Sequence, residues 1–204
     1  MNVAKTKVML FGEAKKKISI KIHNLDLGNV SSFKYLGMML DLMLDFGMQV
    51  DYATGKAKRA LNKIGCLIKG RQGISVKMCT DLYKSLIRPH LEYAIPVWAN
   101  TSDKDLEKLE KVQVDCLRRI IGAKAHSSSA AVEVVHGITP FRFRRREPCC
   151  RQYIRIQAKC EGHELLKLME TSTRVGLCFC PLEYIKTVSR ELHRRLDGHK
   201  LWDL

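Results

Sequence analysis

The chain has 204 residues, 46% hydrophobic and 28% charged, which is enough apolar material for one domain or one and a half small ones and too much for general disorder. Its 36 Lys and Arg against 21 Asp and Glu leave a formal net charge of +15, which steers polyanions and points to nucleic acid or an anionic membrane surface. A secreted or membrane-spanning chain is not expected: Met1 to Phe11 carries lysines and no signal-like apolar core, no run of about 18 apolar residues follows, and the eight cysteines read as reduced thiols.

The N-terminal segment reads as strands. Lys7 to Phe11 is short and apolar, and Ile18, Ile20 and Ile22 alternate with Ser19 and Lys21 at the strand period. Phe33 to Leu40 is apolar and aromatic, bounded by Ser31, Ser32 and Asp41, and is expected to pack with Phe33 and Leu36 buried. Gly12 and Leu27-Gly28-Asn29 supply turns. About three short antiparallel strands make a small sheet that needs helices on one face. From about Gln49 the period becomes helical, with Val50, Ala53, Ala57, Ala60, Leu61, Ile64 and Leu67 on one side. Gly70 and Gly73 flank a loop. A second helix is predicted with Val76, Cys79, Leu82, Tyr83, Leu86 and Ile87 as its buried stripe, stopped or kinked at Pro89. His90 to Trp98 continues as a short helix broken at Pro96.

Ser102 begins the most clearly marked helix. Its hydroxyl caps the first turn, Asp103 and Asp105 suit the helix dipole, and Gly122 ends it after a stripe of Leu106, Leu109, Val112, Cys116 and Ile120. A short helix ending at Gly137 follows, then Thr139-Pro140 as cap and first helical residue, then a helix from Pro148 to about Lys159. The fold class is therefore α+β: a small N-terminal antiparallel sheet followed by a mainly helical body. Three stretches are expected, 1–46, a helical region 47–160, and a helical tail 161–204.

The basic residues are clustered. Lys56, Lys58, Arg59, Lys63, Lys69 and Arg71 form an acid-free run, in which Lys56, Arg59 and Lys63 share a helix face suited to tracking a phosphate backbone. Arg142, Arg144, Arg145, Arg146, Arg151 and Arg155 form a second cluster, whose planar forks suit phosphate oxygens. That cluster reads equally as a localisation signal or an RNA-binding patch. Trp98 and Trp202 are too isolated to anchor an amphipathic membrane helix, so the expected partner is RNA, DNA or their hybrid, and no membrane. Cys160, His163, Cys178 and Cys180 have spacing that admits a zinc knuckle, with small buried thiols as the ordinary alternative.

Five strings, in order, carry a resemblance. Phe33-Lys34-Tyr35-Leu36-Gly37 follows Asn2 to Lys7; then come Leu82 to Tyr93 with Pro96-Val97-Trp98, Leu109 to Gln113, Leu117 to Gly122, and Gly137 to Pro140. Together they resemble the late palm and the segment beyond it in non-LTR retrotransposon reverse transcriptases. The resemblance implies that residues 1–46 are the end of a palm, that Phe33 to Gly37 is a primer-grip-like hairpin with Lys34 and Tyr35 near primer sugar and phosphate, and that 47–160 is thumb-like. The family's polymerisation needs carboxylates converging on paired Mg²⁺ ions, one pair in an Asp-Asp turn. The chain holds no Asp-Asp pair. Asp41, Asp45 and Asp51, like Asp103 and Asp105, are expected to cap helix and strand ends. The expectation is thus a non-enzymatic fragment, starting after the active site, with no catalytic residues and no Mg²⁺ of its own. It would act inside the cell, in nucleus or cytoplasm. A helical protein-interaction module and an intact polymerase with an unrecognised site are the alternatives.

Overall fold

A computed structural model describes residues 6–12, 19–22, 25–69, 74–99 and 101–159. Gly70, Arg71, Gly73, the string Asn2 to Lys5, the zinc candidates Cys160, His163, Cys178 and Cys180, and the stretch 161–204 lie outside them. The described residues confirm α+β, with short strands followed by a helical body. The strands are β1 (Lys7–Val8), β2 (Lys21–Ile22), β3 (Leu25–Asp26), β4 (Gly28–Asn29), β5 (Ser32–Tyr35) and β6 (Met38–Asp41). They pair two by two: β1 with β4 in parallel, β2 with β3 and β5 with β6 antiparallel. One antiparallel sheet was expected, and the reason for the difference is length, since a two-residue strand offers too little edge to recruit a third. Phe33 to Leu40 likewise folds back on itself as the β5–β6 hairpin.

The hairpin turn is Leu36-Gly37, with Tyr35 opposite Met38 and both turn residues at positive φ, 46° and 84°. Two positive values are what a type I′ turn requires, and its twist matches that of the flanking strands. Asp41 ends β6 and accepts from the N–H groups of Met43, Asp45 and Phe46 at 3.0, 3.2 and 3.2 Å. Those bonds hold Leu44 and Phe46 in left-handed conformations, at φ 54° and 61°. Each costs a non-glycine residue about 1–2 kcal/mol, offset by the Asp41 bonds and by burial of Phe46.

The helices are α1 (Gly47–Lys69), α2 (Val76–Leu82), a π segment (Tyr83–Ile87), α3 (Arg88–Glu92), α4 (Ile95–Trp98), α5 (Asp103–Ile121), α6 (Ser129–His136), α7 (Phe141–Arg144) and α8 (Arg146–Lys159). Val50, Ala53, Ala57, Leu61 and Ile64 of α1 are buried, as their spacing indicated. Ser102 caps α5, accepting from Asp105 N at 3.2 Å, and the carboxylate of Asp105 accepts from Ser102 Oγ at 2.7 Å. Gly122 and Gly137 end α5 and α6 at φ 69° and 60°. The N–H groups of Ala123 and Ile138 reach back to the carbonyls of Arg118 and Glu133, 2.9 Å each, so both helices close as Schellman motifs.

The buried stripe along α2 and its continuation is Cys79, Tyr83, Ile87 and Leu91, whereas Val76 and Leu86 are each 47% exposed. The π segment explains the correction. Pro89 cannot donate to the carbonyl four residues back, and Arg88 N–H bonds to Tyr83 O, five back, widening the turn. The slower rotation keeps every fourth residue facing inward and swings Leu86 outward. The chain stays helical through Pro89. Pro140 lies one residue before α7, while Pro148 sits in the first turn of α8, where its missing N–H has no helical acceptor to lose.

The chain divides into two compact units, Met1–Ala94 with Thr101–Phe141, and Ile95–Asn100 with Arg142–Leu204. In the first, α1 and α5 run in the same direction: Lys108 Nζ is 3.0 Å from Asp51 Oδ1, and eleven residues further along each helix Arg119 Nη1 is 3.4 Å from Asn62 Oδ1. Beside them lies a buried polar network. Tyr83 Oη donates to Gln113 Oε1 at 2.9 Å, and Gln113 Nε2 donates to Glu133 Oε1 at 2.9 Å and Thr139 O at 3.1 Å. In the second unit α4 packs on α8, with Trp98 buried. No helix among the described residues is long and apolar enough to cross a membrane.

Candidate nucleic-acid interface

The β5–β6 hairpin is held against α1 by a hydrogen bond from Met39 N to Gln49 Oε1, 2.9 Å, made by a glutamine that is almost fully buried. Lys34 stands opposite Met39 in the hairpin register, so this docking sets where its side chain meets the helix. It meets Tyr52. Lys34 Nζ lies 4.9 Å from the Tyr52 ring centroid, and Lys56 Nζ, one turn along α1 from Tyr52, lies 4.7 Å from it. Hydrogen bonding from Lys34 and then Lys56 holds the Tyr52 hydroxyl below the usual tyrosine pKa. Among the described residues neither lysine has a carboxylate within ion-pairing distance. Arg59 and Lys63 continue along α1 and are exposed.

The hairpin tip is presented to solvent: Tyr35 is 55% exposed and Leu36 76%, and Phe33 is also exposed, contrary to the expected burial of Phe33 and Leu36. A two-stranded hairpin has one covered face at most, and the docking to α1 uses the β6 side. The tip is braced by Tyr93, whose Oη donates to Leu36 O at 2.6 Å. Gly37 packs under the same ring, and a Cβ placed there would stand 3.4 Å from Tyr93 Oη. Gly37→Ala is expected to cost about 1–2 kcal/mol, because φ of 84° disfavours any side chain. Denaturant unfolding measures it, and a loss under about 0.3 kcal/mol would show that the turn relaxes freely.

The acidic residues near this surface are all engaged. Asp41 binds loop N–H groups, Asp45 Oδ1 accepts from Gly47 N at 2.9 Å, and Asp51 and Asp105 share Lys108, at 3.0 and 2.8 Å. Partial burial pushes Asp105 up, but the bonds from Lys108 and Ser102 outweigh it and leave its carboxyl below the ordinary range. Among the described residues no three His, Cys, Asp or Glu side chains converge on a common point.

The arginine cluster belongs to the second unit. Arg144 pairs with Glu147, which also takes Arg151, and Arg145 Nη1 donates to Ala99 O at 2.9 Å. Arg142 is exposed, and Arg146 lies 5.8 Å from the Phe143 ring. Arg144, Arg145 and Arg151 are therefore engaged in holding the local fold together. Tyr52 and Tyr93 are the residues that sequence reading passed over. The spacing of Tyr52 and Lys56 was visible along the helix, whereas nothing local ties Tyr93 to Leu36.

Three curated proteins share sequence with this chain. The RNA-directed DNA polymerase from mobile element jockey of Drosophila funebris is 27% identical over 114 residues, 56% of this chain and 12% of that protein. Its Drosophila melanogaster counterpart is 28% identical over 102 residues, 50% of this chain and 11% of the relative. The chain is related to non-LTR retrotransposon RNA-directed DNA polymerases. A probable RNA-directed DNA polymerase from transposon X-element of Drosophila melanogaster adds a match of 23% over 105 residues, 52% of this chain and 12% of that protein. The matched stretch is thus about one-eighth of each relative's length. No family model matches the chain, and no solved structure does.

Proposed function

We propose that this chain is a nucleic-acid-holding portion of a retrotransposon RNA-directed DNA polymerase, which keeps template–primer-binding elements and lacks the catalytic aspartates. The relationship to the jockey and X-element polymerases carries this reading. The geometry supports it: Lys34, Tyr35 and Gly37 on the hairpin, and Lys56, Arg59 and Lys63 on α1, lie in one unit, and the nearby Asp45, Asp51 and Asp105 are turned to capping and to Lys108. Lysine and arginine that neutralise phosphates release counterions, which gives affinity without sequence preference. Arg142, Arg144 and Arg145 form a separate proposed contact within the second unit, the latter two after loss of their present partners. The proposed place of action is the nucleus or cytoplasm, where thiols such as Cys79, Cys116 and Cys150 stay reduced.

Primer extension on a homopolymer template with Mg²⁺ tests the catalytic half of the proposal. The full chain is expected to incorporate no nucleotide above a heat-killed control while binding the same template–primer, and incorporation would overturn it. A second reading, a helical protein-interaction module, draws on α6, where Val134 is 79% exposed and Val135 66%. Under that reading any RNA–DNA binding would be indifferent to salt.

A further inference from the structure

We infer that Lys34, Tyr52 and Lys56 form a clamp for a single backbone phosphate at the junction of the hairpin and α1. The inference rests on the nucleic-acid reading above and specifies its chemistry. Two ammonium groups from different elements are brought to one phenol, each within 5 Å of the ring centroid. Like charges gather this way only where something else fixes them. Here the Met39–Gln49 bond sets the hairpin against α1, and the helix sets Lys56 one turn from Tyr52. The aromatic ring offsets part of their repulsion, and among the described residues no carboxylate offsets the rest. Asp51, next in sequence to Tyr52, is turned to Lys108.

An anion placed between the two ammoniums relieves that repulsion, and the Tyr52 hydroxyl is a neutral donor at the same point. The depressed Tyr52 pKa fits two nearby positive charges and should rise again once a phosphate neutralises them. Because both lysines already approach the ring, Tyr52 is not a platform for base stacking. The site would read the backbone and be indifferent to sequence. It belongs to a built junction rather than to a helix face, which distinguishes it from Arg59 and Lys63.

The test is the salt dependence of binding of a fluorescein-labelled RNA–DNA duplex by the full chain, for wild type, Lys34→Gln, Lys56→Gln, the double variant and Tyr52→Phe. Two lysines on one phosphate predict that each single variant changes the log–log slope little and that the double variant flattens it by about one unit. Tyr52→Phe should weaken binding about ten- to a hundredfold at unchanged slope, since it removes one hydrogen bond to a charged group. A loss of about one unit in each single variant and two in the double would mean separate phosphates and overturn the clamp. Unchanged slopes throughout would also overturn it, by removing both lysines from the interface. A wild type without salt-dependent binding would instead overturn the nucleic-acid reading on which the clamp rests.

Discussion

Gln113→Leu is expected to lower the unfolding free energy by about 3 kcal/mol, within the range for stranding buried polar groups. The glutamine is 1% exposed and joins three partners from different elements: Tyr83 in the π segment, Glu133 in α6 and the Thr139 carbonyl. Burial already pushes the Tyr83 hydroxyl well above the usual tyrosine pKa, so its proton must be donated, and Gln113 Oε1 is its acceptor. Leucine fills similar space but can neither accept nor donate. Chemical denaturation of the full chain measures the loss. A value below about 1 kcal/mol would mean that water or a neighbouring side chain takes over these bonds.

Replacing Lys56, Arg59 and Lys63 together by glutamine is expected to flatten the salt dependence of duplex binding by about two log–log units. On the proposed reading Arg59 and Lys63 would each account for one contact, and Lys34 would retain the phosphate it shares with Lys56. The three lie on the outward side of α1, away from Val50, Ala53 and Ala57, so the melting temperature should scarcely move. An unchanged slope in a folded triple variant would exclude this helix from the interface.

What the sequence made legible was local. The Ser102 cap, the Asp105 that answers it, the Leu106 to Ile120 stripe and the closing Gly122 all sit within a turn or two of the backbone groups they satisfy, and α5 formed as they indicate. The run from Leu82 to Pro89 was misjudged because an amphipathic pattern assumes a constant turn. The widening forced near Pro89 depends on which carbonyl the Arg88 N–H finds. A hairpin over Phe33 to Gly37 is implied by the resemblance, but residue pattern alone does not place its turn at Leu36-Gly37. Leucine at positive φ is disfavoured, and the Tyr93 bond and strand pairing that hold it come from the fold. At the candidate interface, the α1 lysines were legible from their spacing, but their grouping with Lys34 was not, since it depends on where the buried Gln49 docks the hairpin.

The side-by-side course of α1 and α5 has a bearing on how the chain is made. Helices that run the same way cannot be joined by a tight turn, and the Asp51–Lys108 and Asn62–Arg119 contacts each span 57 positions. A chain emerging from the ribosome therefore carries α1 with part of its apolar flank bare until α5 has followed. The β5–β6 hairpin has local pairing, but the Gln49 and Tyr93 bonds that hold it come only with α1 and the residue that follows α3. The residues of the proposed contact surface on the hairpin and α1 are thus synthesised before α5, whose docking on α1 must close the chain over the intervening segment.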